Sequence, residues 1–255
     1  MSVTGKRFIV TGCATGMGRA TVSAFVRDGA HVVGFYRSSG VEDVEREIEG
    51  MPGRASFIRC DVADEGQVKD ATGEAVRRLG GLDGLVHAAA IAPTVPAEDI
   101  SFAQLNDVLR VNMGGTMLIN QAVFPHLKEK GGRILNFASS TGATGAAMKA
   151  DYAASKGAVL AWTRSIAVAW AKYGITVNAI CPVIMTEMYR ATRAALSPAQ
   201  LAAHDDQMAS AIPLGGAFGD PDRDFAPFVV FYAGDGARFV TGQTLSVDGG
   251  AFMVR

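Results

Sequence analysis

The chain lacks the features that mark several large classes of protein. Its three cysteines, Cys13, Cys60 and Cys181, are far apart and form no C-x-x-C pair. That speaks against a disulfide framework and against a cysteine metal cluster. His204, Asp205 and Asp206 are ligand types, but their spacing suits a solvated helix face, so no metal is expected. Charge of one sign is missing too: 24 basic residues face 25 acidic ones, a net −1, with no basic run or stripe for nucleic acid. Long apolar runs are absent. The stretch from 158 to 185 is broken by Arg164 and Lys172, and the opening MSVTGKRFIV has no signal-peptide core. No repeat, low-complexity tract or linker appears. The expectation is a single cytoplasmic domain with reduced thiols and no membrane partner.

What the chain has is glycine and apolar residues: 30 glycines and 49% hydrophobic in 255 residues. That suffices for one large α/β core. Short apolar runs alternate with helical patterns. Strands are expected over Arg7–Thr11, His31–Tyr36, Ala55–Cys60, from Gly84 to Ala88, Arg133–Ala138, Ile175–Ile180 and Leu245–Val247. Helices are expected after 16, over 42–50 and 65–79, once or twice in 102–126, and over 151–172. This order predicts a Rossmann-like, doubly wound, seven-stranded parallel sheet with helices on both faces. Between 183 and 225 the alternation stops. An amphipathic helix over 188–208 and a Gly215–Gly216 hinge suggest a lid, with Met185, Met188, Tyr189, Met208, Ile212 and Leu214 on its underside.

Three places carry chemistry. Gly12, Thr15, Gly16, Met17 and Gly18 fall between the first strand and the first helix, where glycines let a backbone approach a pyrophosphate. The second strand ends in Tyr36, Arg37, Ser38 and Ser39 with no carboxylate. An acidic residue there would hold the 2′-hydroxyl of NAD, whereas a guanidinium suits a 2′-phosphate. NADP(H) is therefore favoured, and NAD(H) stays open because Thr15 supplies no second cation. Asp61, followed by Val62, ends the third strand and is placed to cap the next helix or to meet an adenine. The third place is Ser139 to Lys156. Tyr152 and Lys156 are four apart and share a helix face. A free phenol titrates near about 10, and a neighbouring ammonium is expected to lower that value. Ser139 follows the fifth strand and is placed to bond the same oxygen. Asn112 lies before Gly114–Gly115, where a distorted helix would offer a backbone carbonyl to a water.

These motifs together resemble the classical short-chain dehydrogenase/reductase family, and the resemblance covers essentially the whole chain. TGCATGMG is similar to its cofactor turn. Ser139, Tyr152 and Lys156 match its catalytic serine and Y-x-x-x-K, VNMGGT places Asn112 on its fourth catalytic position, and GQTLSVDGG resembles its final strand and turn. The resemblance implies that Lys156 holds the nicotinamide ribose, that Ala88, Ala89, Ala90, Pro182 and Thr186 touch the cofactor, and that the protein is a dimer or tetramer. Two departures stand out. The family's N-N-A-G reads His87-Ala88-Ala89-Ala90, removing an asparagine that ties the sheet to the cofactor loop. Its P-G reads Pro182–Val183, with Thr186 one residue early.

The resulting expectation is an NAD(P)(H)-dependent alcohol/ketone oxidoreductase. Ser139, Thr141, Met148, Tyr152, Val183 and Met188 are expected to touch a hydrophobic or cyclic small-molecule substrate. Two alternatives in the same family are a 3-oxoacyl-[acyl-carrier-protein] reductase, using Lys128, Lys130 and Lys172 to meet an acidic carrier, and a sugar or polyol dehydrogenase. A further alternative of another class is a non-catalytic dinucleotide-binding regulator.

Overall fold

The computed structural model describes residues 2–38 and 40–253, without the side chains of Met188 and Thr192. Ser39 and the Met188 side chain, both named above, therefore lie outside the described residues. Seven parallel strands form one sheet: β1 (Arg7–Thr11), β2 (His31–Tyr36), β3 (Arg54–Arg59), β4 (Gly84–His87), β5 (Gly132–Phe137), β6 (Ile175–Pro182) and β7 (Thr244–Val247). Their order is β3-β2-β1-β4-β5-β6-β7. The strands read as near-continuous apolar runs because both faces are covered. On β1, Phe8 and Val10 face one core and Ile9 the other, the period-2 alternation of a strand.

Helices α1 (Gly16–Arg27) and α2 (Glu42–Ile48) cover the first face. Helix α3 (Glu65–Leu79) covers the second. Asp64, not Asp61, caps α3, accepting the Gln67 N–H; the Asp61 carboxylate turns back to the Ala63 N–H at 3.0 Å. Helices α4 (Phe102–Leu109) and α5 (Gly115–Leu127) are joined by one π-helical turn over Arg110–Gly114, so the distortion expected around Asn112 is present. A short α6 (Thr141–Thr144) precedes the long α7 (Ala150–Trp170), which begins two residues before Tyr152.

The segment expected as one helix over 188–208 is two, α8 (Glu187–Ala194) and α9 (Pro198–Ala211). The break follows from local chemistry. Ser197 forms a capping box with Gln200, and Pro198 takes the first helical position, where its missing N–H costs nothing. Helix α10 (Ala226–Ala233) completes the first face, burying Ala226 and Val229. Leu214, expected under the lid, is 78% exposed, whereas Ile212 is buried.

The substitution of the family asparagine by His87 does not cut the sheet loose. His87 is buried, and its Nδ1 lies 2.7 Å from Thr11 Oγ1, which also accepts the Ala89 N–H at 3.3 Å. Strand β1 thus holds the loop after β4 through an imidazole. Burial pushes the His87 pKa down to about 3, with the nearby Lys156 charge acting in the same direction. The unfolded chain has its histidine near about 6.5, so it takes up the proton first and stability falls as pH drops below that value. The expected loss between pH 8 and pH 5 is about 2 kcal/mol, and His87→Asn should remove it. Urea unfolding at the two pH values checks this; an unchanged slope in His87→Asn would disprove it.

Candidate active site

The carboxyl ends of the strands open on one cleft of about 1040 Å³. Ligands in open parallel sheets bind at this edge. Gly12, Thr15, Gly16, Met17 and Gly18 line its floor between β1 and α1. Two of these glycines are required by close approach. A Cβ on Gly18 would sit 2.1 Å from the Gly12 carbonyl oxygen, and one on Gly12 would sit 2.9 Å from the Ala89 nitrogen. The Gly16 N–H points at an anion: it donates to Glu187 Oε2 of α8 at 3.2 Å. That carboxylate stands where a phosphate oxygen would be held, so the turn accepts negative charge as a pyrophosphate cradle must. The residues present fit a dinucleotide.

At the second strand, Tyr36, Arg37 and Ser38 line the cleft. Arg37 is exposed and has no carboxylate within ion-pair distance among the described residues. The structure adds a cation that the sequence reading missed. Arg59, paired with Tyr36 in the β2–β3 ladder, donates its Nε to the Arg37 carbonyl at 3.0 Å. Arg59 therefore braces the backbone of this corner from just outside the cleft lining; only the strand register brings it there. Asp61 and Val62 form the neighbouring wall, and Ala88, Ala89 and Ala90 the wall after β4.

Ser139, Tyr152 and Lys156 face the far end of the same cleft. Ser139 Oγ accepts from the Thr141 hydroxyl at 2.9 Å and from its N–H at 3.3 Å, which leaves the Ser139 proton for Tyr152. Thr141 thus orients Ser139 and is not among the cleft-lining residues, contrary to its expected substrate contact. Lys156 is fully buried and donates to the Phe137 carbonyl at 2.6 Å. Its Nζ stands 5.7 Å from the centroid of the Tyr152 ring.

The titration differs from the expectation in sign. Burial pushes the Tyr152 phenol up, and the hydrogen bond with Ser139 pulls it only part of the way back. Lys156 is not among the groups that shift it here: burial takes the pKa of its own ammonium down to about 8, so it loses its charge before the phenol titrates. A tuned phenol therefore requires a cleft whose filling changes these contacts.

Asn112 is buried behind this group. Its side chain clasps the backbone of Ile91 in both directions, at 2.8 and 2.9 Å, and donates to Ser155 Oγ at 2.9 Å. Through that side chain Asn112 ties the loop after β4 to α7, and its backbone carbonyl accepts the Thr116 hydroxyl at 2.6 Å. Val183 and Met148 also fall outside the cleft lining. Val183 is held in backbone pairing with Val247 and Gly219. Thr186, one residue early by the family pattern, still reaches the cleft; it caps α8, and its methyl lies 3.7 Å from a Cβ placed on Gly16. Pro182 lines the cleft beside it. The lid is braced within itself: Tyr189 stacks on Phe218 with centroids 3.9 Å apart and meets His204 Nε2 at 2.9 Å. His204 is used there, and no metal-type cluster occurs among the described residues.

A family model described as enoyl-(acyl carrier protein) reductase matches residues 12–251. The chain is 38% identical over 250 residues to an L-fucose dehydrogenase of Oryctolagus cuniculus, covering 97% of this chain and 85% of that one. It is 35% identical over 252 residues to a 2,5-dichloro-2,5-cyclohexadiene-1,4-diol dehydrogenase of Sphingobium indicum, covering 97% of both. The crystal structure of a putative short-chain alcohol dehydrogenase from Sinorhizobium meliloti superposes with a TM-score of 0.89 at 31% identity, over 98% of this chain and 97% of that one.

Proposed function

The chain belongs to the short-chain dehydrogenase/reductase family and is an NAD(P)-dependent oxidoreductase, and on that premise we propose that it interconverts a secondary alcohol and a ketone of hydrophobic or cyclic body, with NADP(H) preferred. The observation that carries this reading is the single cleft shared by the Gly12–Gly18 cradle, the Arg37 corner and the Ser139–Tyr152–Lys156 group. Arg37, its backbone braced by Arg59, would hold the 2′-phosphate, Gly16 and Gly18 the pyrophosphate, and Lys156 the nicotinamide ribose. When bound, the nicotinamide gives or takes the hydride. In the reductive direction, Tyr152 gives its proton to the carbonyl oxygen. Ser139, oriented by Thr141, bonds the same oxygen and fixes its position. Asn112 holds the loop after β4 and, with the second lone pair of the backbone carbonyl that Thr116 already bonds, a water that returns the proton through Lys156.

The substrate body is read from the walls. Ile91, Ala92, Pro93, Val108 and Val111 line the cleft, so its far wall is mostly apolar. The relative that acts on a cyclic diol supports a ring-shaped substrate, and the L-fucose relative keeps a sugar or polyol in view. For an acyl-carrier substrate, Lys128 and Lys130 follow α5 and Lys172 follows α7, at the strand edge opposite the cleft, so they offer a carrier no surface at the entrance. A cytoplasmic dimer or tetramer belongs to the same reading. It is supported by three free, buried thiols and by the exposed Val168 of α7 and Phe239. No described helix is long and apolar enough to cross a membrane.

The test is NADPH and NADH consumption against cyclic and aryl ketones, keto sugars and 3-oxoacyl thioesters. Turnover of cyclic or aryl ketones with NADPH preferred is expected. NADH preferred would overturn the reading of Arg37, and cofactor binding with no turnover would favour a regulator. The pH profile follows from the charges. Reduction needs the protonated phenol and a charged Lys156, so its kcat/KM should be level at low pH and fall above about 8. Lys156→Arg keeps its charge and should move that limb upward; a limb left in place would contradict the assignment.

A further inference from the structure

The start of α7 breaks local rules beside the reactive phenol. Met148 is the one described non-glycine residue with positive φ, at +62°. Such a conformation is unfavourable for an ordinary side chain. It is held by the Val95 N–H, which donates to the Met148 carbonyl at 2.9 Å. Lys149 then takes the N-cap of α7 with no side-chain capping bond. Serine, threonine, aspartate and asparagine are the residues that cap there, and a cation opposes the helix dipole. A chain keeps such local conflicts mainly where function needs them.

The position of the ammonium gives the conflict a use. Lys149 Nζ lies 5.7 Å from the centroid of the Tyr152 ring, the same distance as Lys156. Lys156 is buried and bound to Phe137 O, whereas Lys149 is half-buried and makes one long bond, 3.5 Å, to the carbonyl of Ala92 on the cleft wall. Among the described residues no carboxylate lies within ion-pair distance of it. Asp151, two residues on, is committed elsewhere: it accepts the Tyr152 N–H at 2.7 Å and the Gln104 amide at 2.7 Å. An under-used cation thus stands beside Tyr152 at the rim of the cleft, just outside its lining residues, next to a wall that sets Ile91, Ala92 and Pro93 beside Gln104 and Asp107.

Building on the oxidoreductase reading above, we infer that Lys149 determines substrate specificity by pairing with a carboxylate on the substrate. The preferred substrates are then ketones or secondary alcohols whose cyclic or aryl body carries an acid group remote from the reacting carbon. Lys149 takes no part in the proton or hydride transfer. It selects and orients the body of the substrate in front of Ser139 and Tyr152.

The test uses matched probes, 3- and 4-acetylbenzoate against 4-methylacetophenone, with NADPH. Wild type should favour at least one of the acids by tenfold or more in kcat/KM. Lys149→Met should raise KM for that acid about tenfold with kcat little changed, and leave the neutral ketone within twofold. Lys149→Arg should restore most of the preference. Equal effects on acid and neutral ketone, or no preference in wild type, would overturn the inference. Binding of the corresponding alcohols, 3- and 4-(1-hydroxyethyl)benzoate against 1-(4-methylphenyl)ethanol, to the NADP⁺-loaded protein gives the same comparison without turnover. Tighter binding of an acid that Lys149→Met abolishes, in a protein that reduces nothing, would uphold Lys149 and sink the oxidoreductase reading instead. Lys149→Ser, a better cap, should raise Tm by roughly 2–4 °C while losing the acid preference. A lower Tm would mark the lysine as structural and overturn the inference.

Discussion

Tyr152→Phe is expected to lower kcat for carbonyl reduction by about 10³-fold or more, the range assigned to a positioned proton donor. The reason is local. The phenol is the one proton donor shared between Ser139 and the cleft, and Lys156 has its ammonium on Phe137 O. Removing one oxygen leaves the ring and its neighbours in place. Cofactor affinity should therefore stay within about threefold of wild type, because the cradle and the Arg37 corner are untouched. Ser139→Ala should cost less, on the order of 10²-fold, since it removes an orienting bond and not the proton itself. Steady-state rates with fluorescence titration of NADPH separate the two effects. A Tyr152→Phe protein that turns over within tenfold of wild type would remove the phenol from the mechanism.

Gly18→Ala is expected to weaken dinucleotide binding by about 100-fold, which corresponds to about 2.7 kcal/mol. The added methyl would lie 2.1 Å from the Gly12 carbonyl oxygen and 2.6 Å from its carbon. Both are backbone atoms of the turn itself, so relief requires the turn to open and α1 to shift. Gly16→Ala makes the contrast. There a Cβ meets only the Thr186 methyl, at 3.7 Å, and the cost is the left-handed backbone at φ +55°. That strain is about 1–2 kcal/mol, part of it relieved by local adjustment, so a five- to tenfold loss is expected. Titration of both variants with NADPH, alongside circular dichroism to confirm folding, checks the order. Equal losses would mean that the cradle does not depend on the Gly12–Gly18 approach.

The sheet was legible because buried parallel strands are apolar throughout and each is punctuated by a turn. Where the ends moved, pairing explains it: β6 runs on to Pro182 because Pro182 opposes Val247 in the last ladder. The lid's sequence predicts one helix although its break is written in Ser197–Pro198; good helix formers on both sides mask the cap. Less visible was the polar interior. Asn120 and Asn136 exchange bonds at 2.9 and 3.0 Å, Asn136 also reaches Thr163 at 3.1 Å, and Trp162 donates to Asn120 at 3.1 Å. These residues lie on three elements, and nothing local in the sequence announces their meeting.

The site was legible in residue type and less so in state. The meeting of Gly12, Ser139, Tyr152 and Lys156 in one cleft follows from spacing, because each has a fixed place at a strand end or on one helix face. The electrostatics required coordinates. A lysine four residues along is expected to acidify the phenol, yet burial works against the charged form of both groups. Arg59 and Lys149 were missed for opposite reasons. Arg59 is brought to Arg37 only by register, and Lys149 looks like an ordinary exposed helix residue until its N-cap position is known.

The central claim is that the cleft moves a hydride between a nicotinamide and a carbonyl carbon, with Tyr152 supplying the proton. Single-turnover reduction of an aryl ketone with NADPH deuterated at C4 tests it most directly. The account predicts deuterium on the carbinol carbon in one configuration, with product formation falling by about 10³-fold in Tyr152→Phe. Product without deuterium from either face of the cofactor, or equal single-turnover rates in the two proteins, would contradict it.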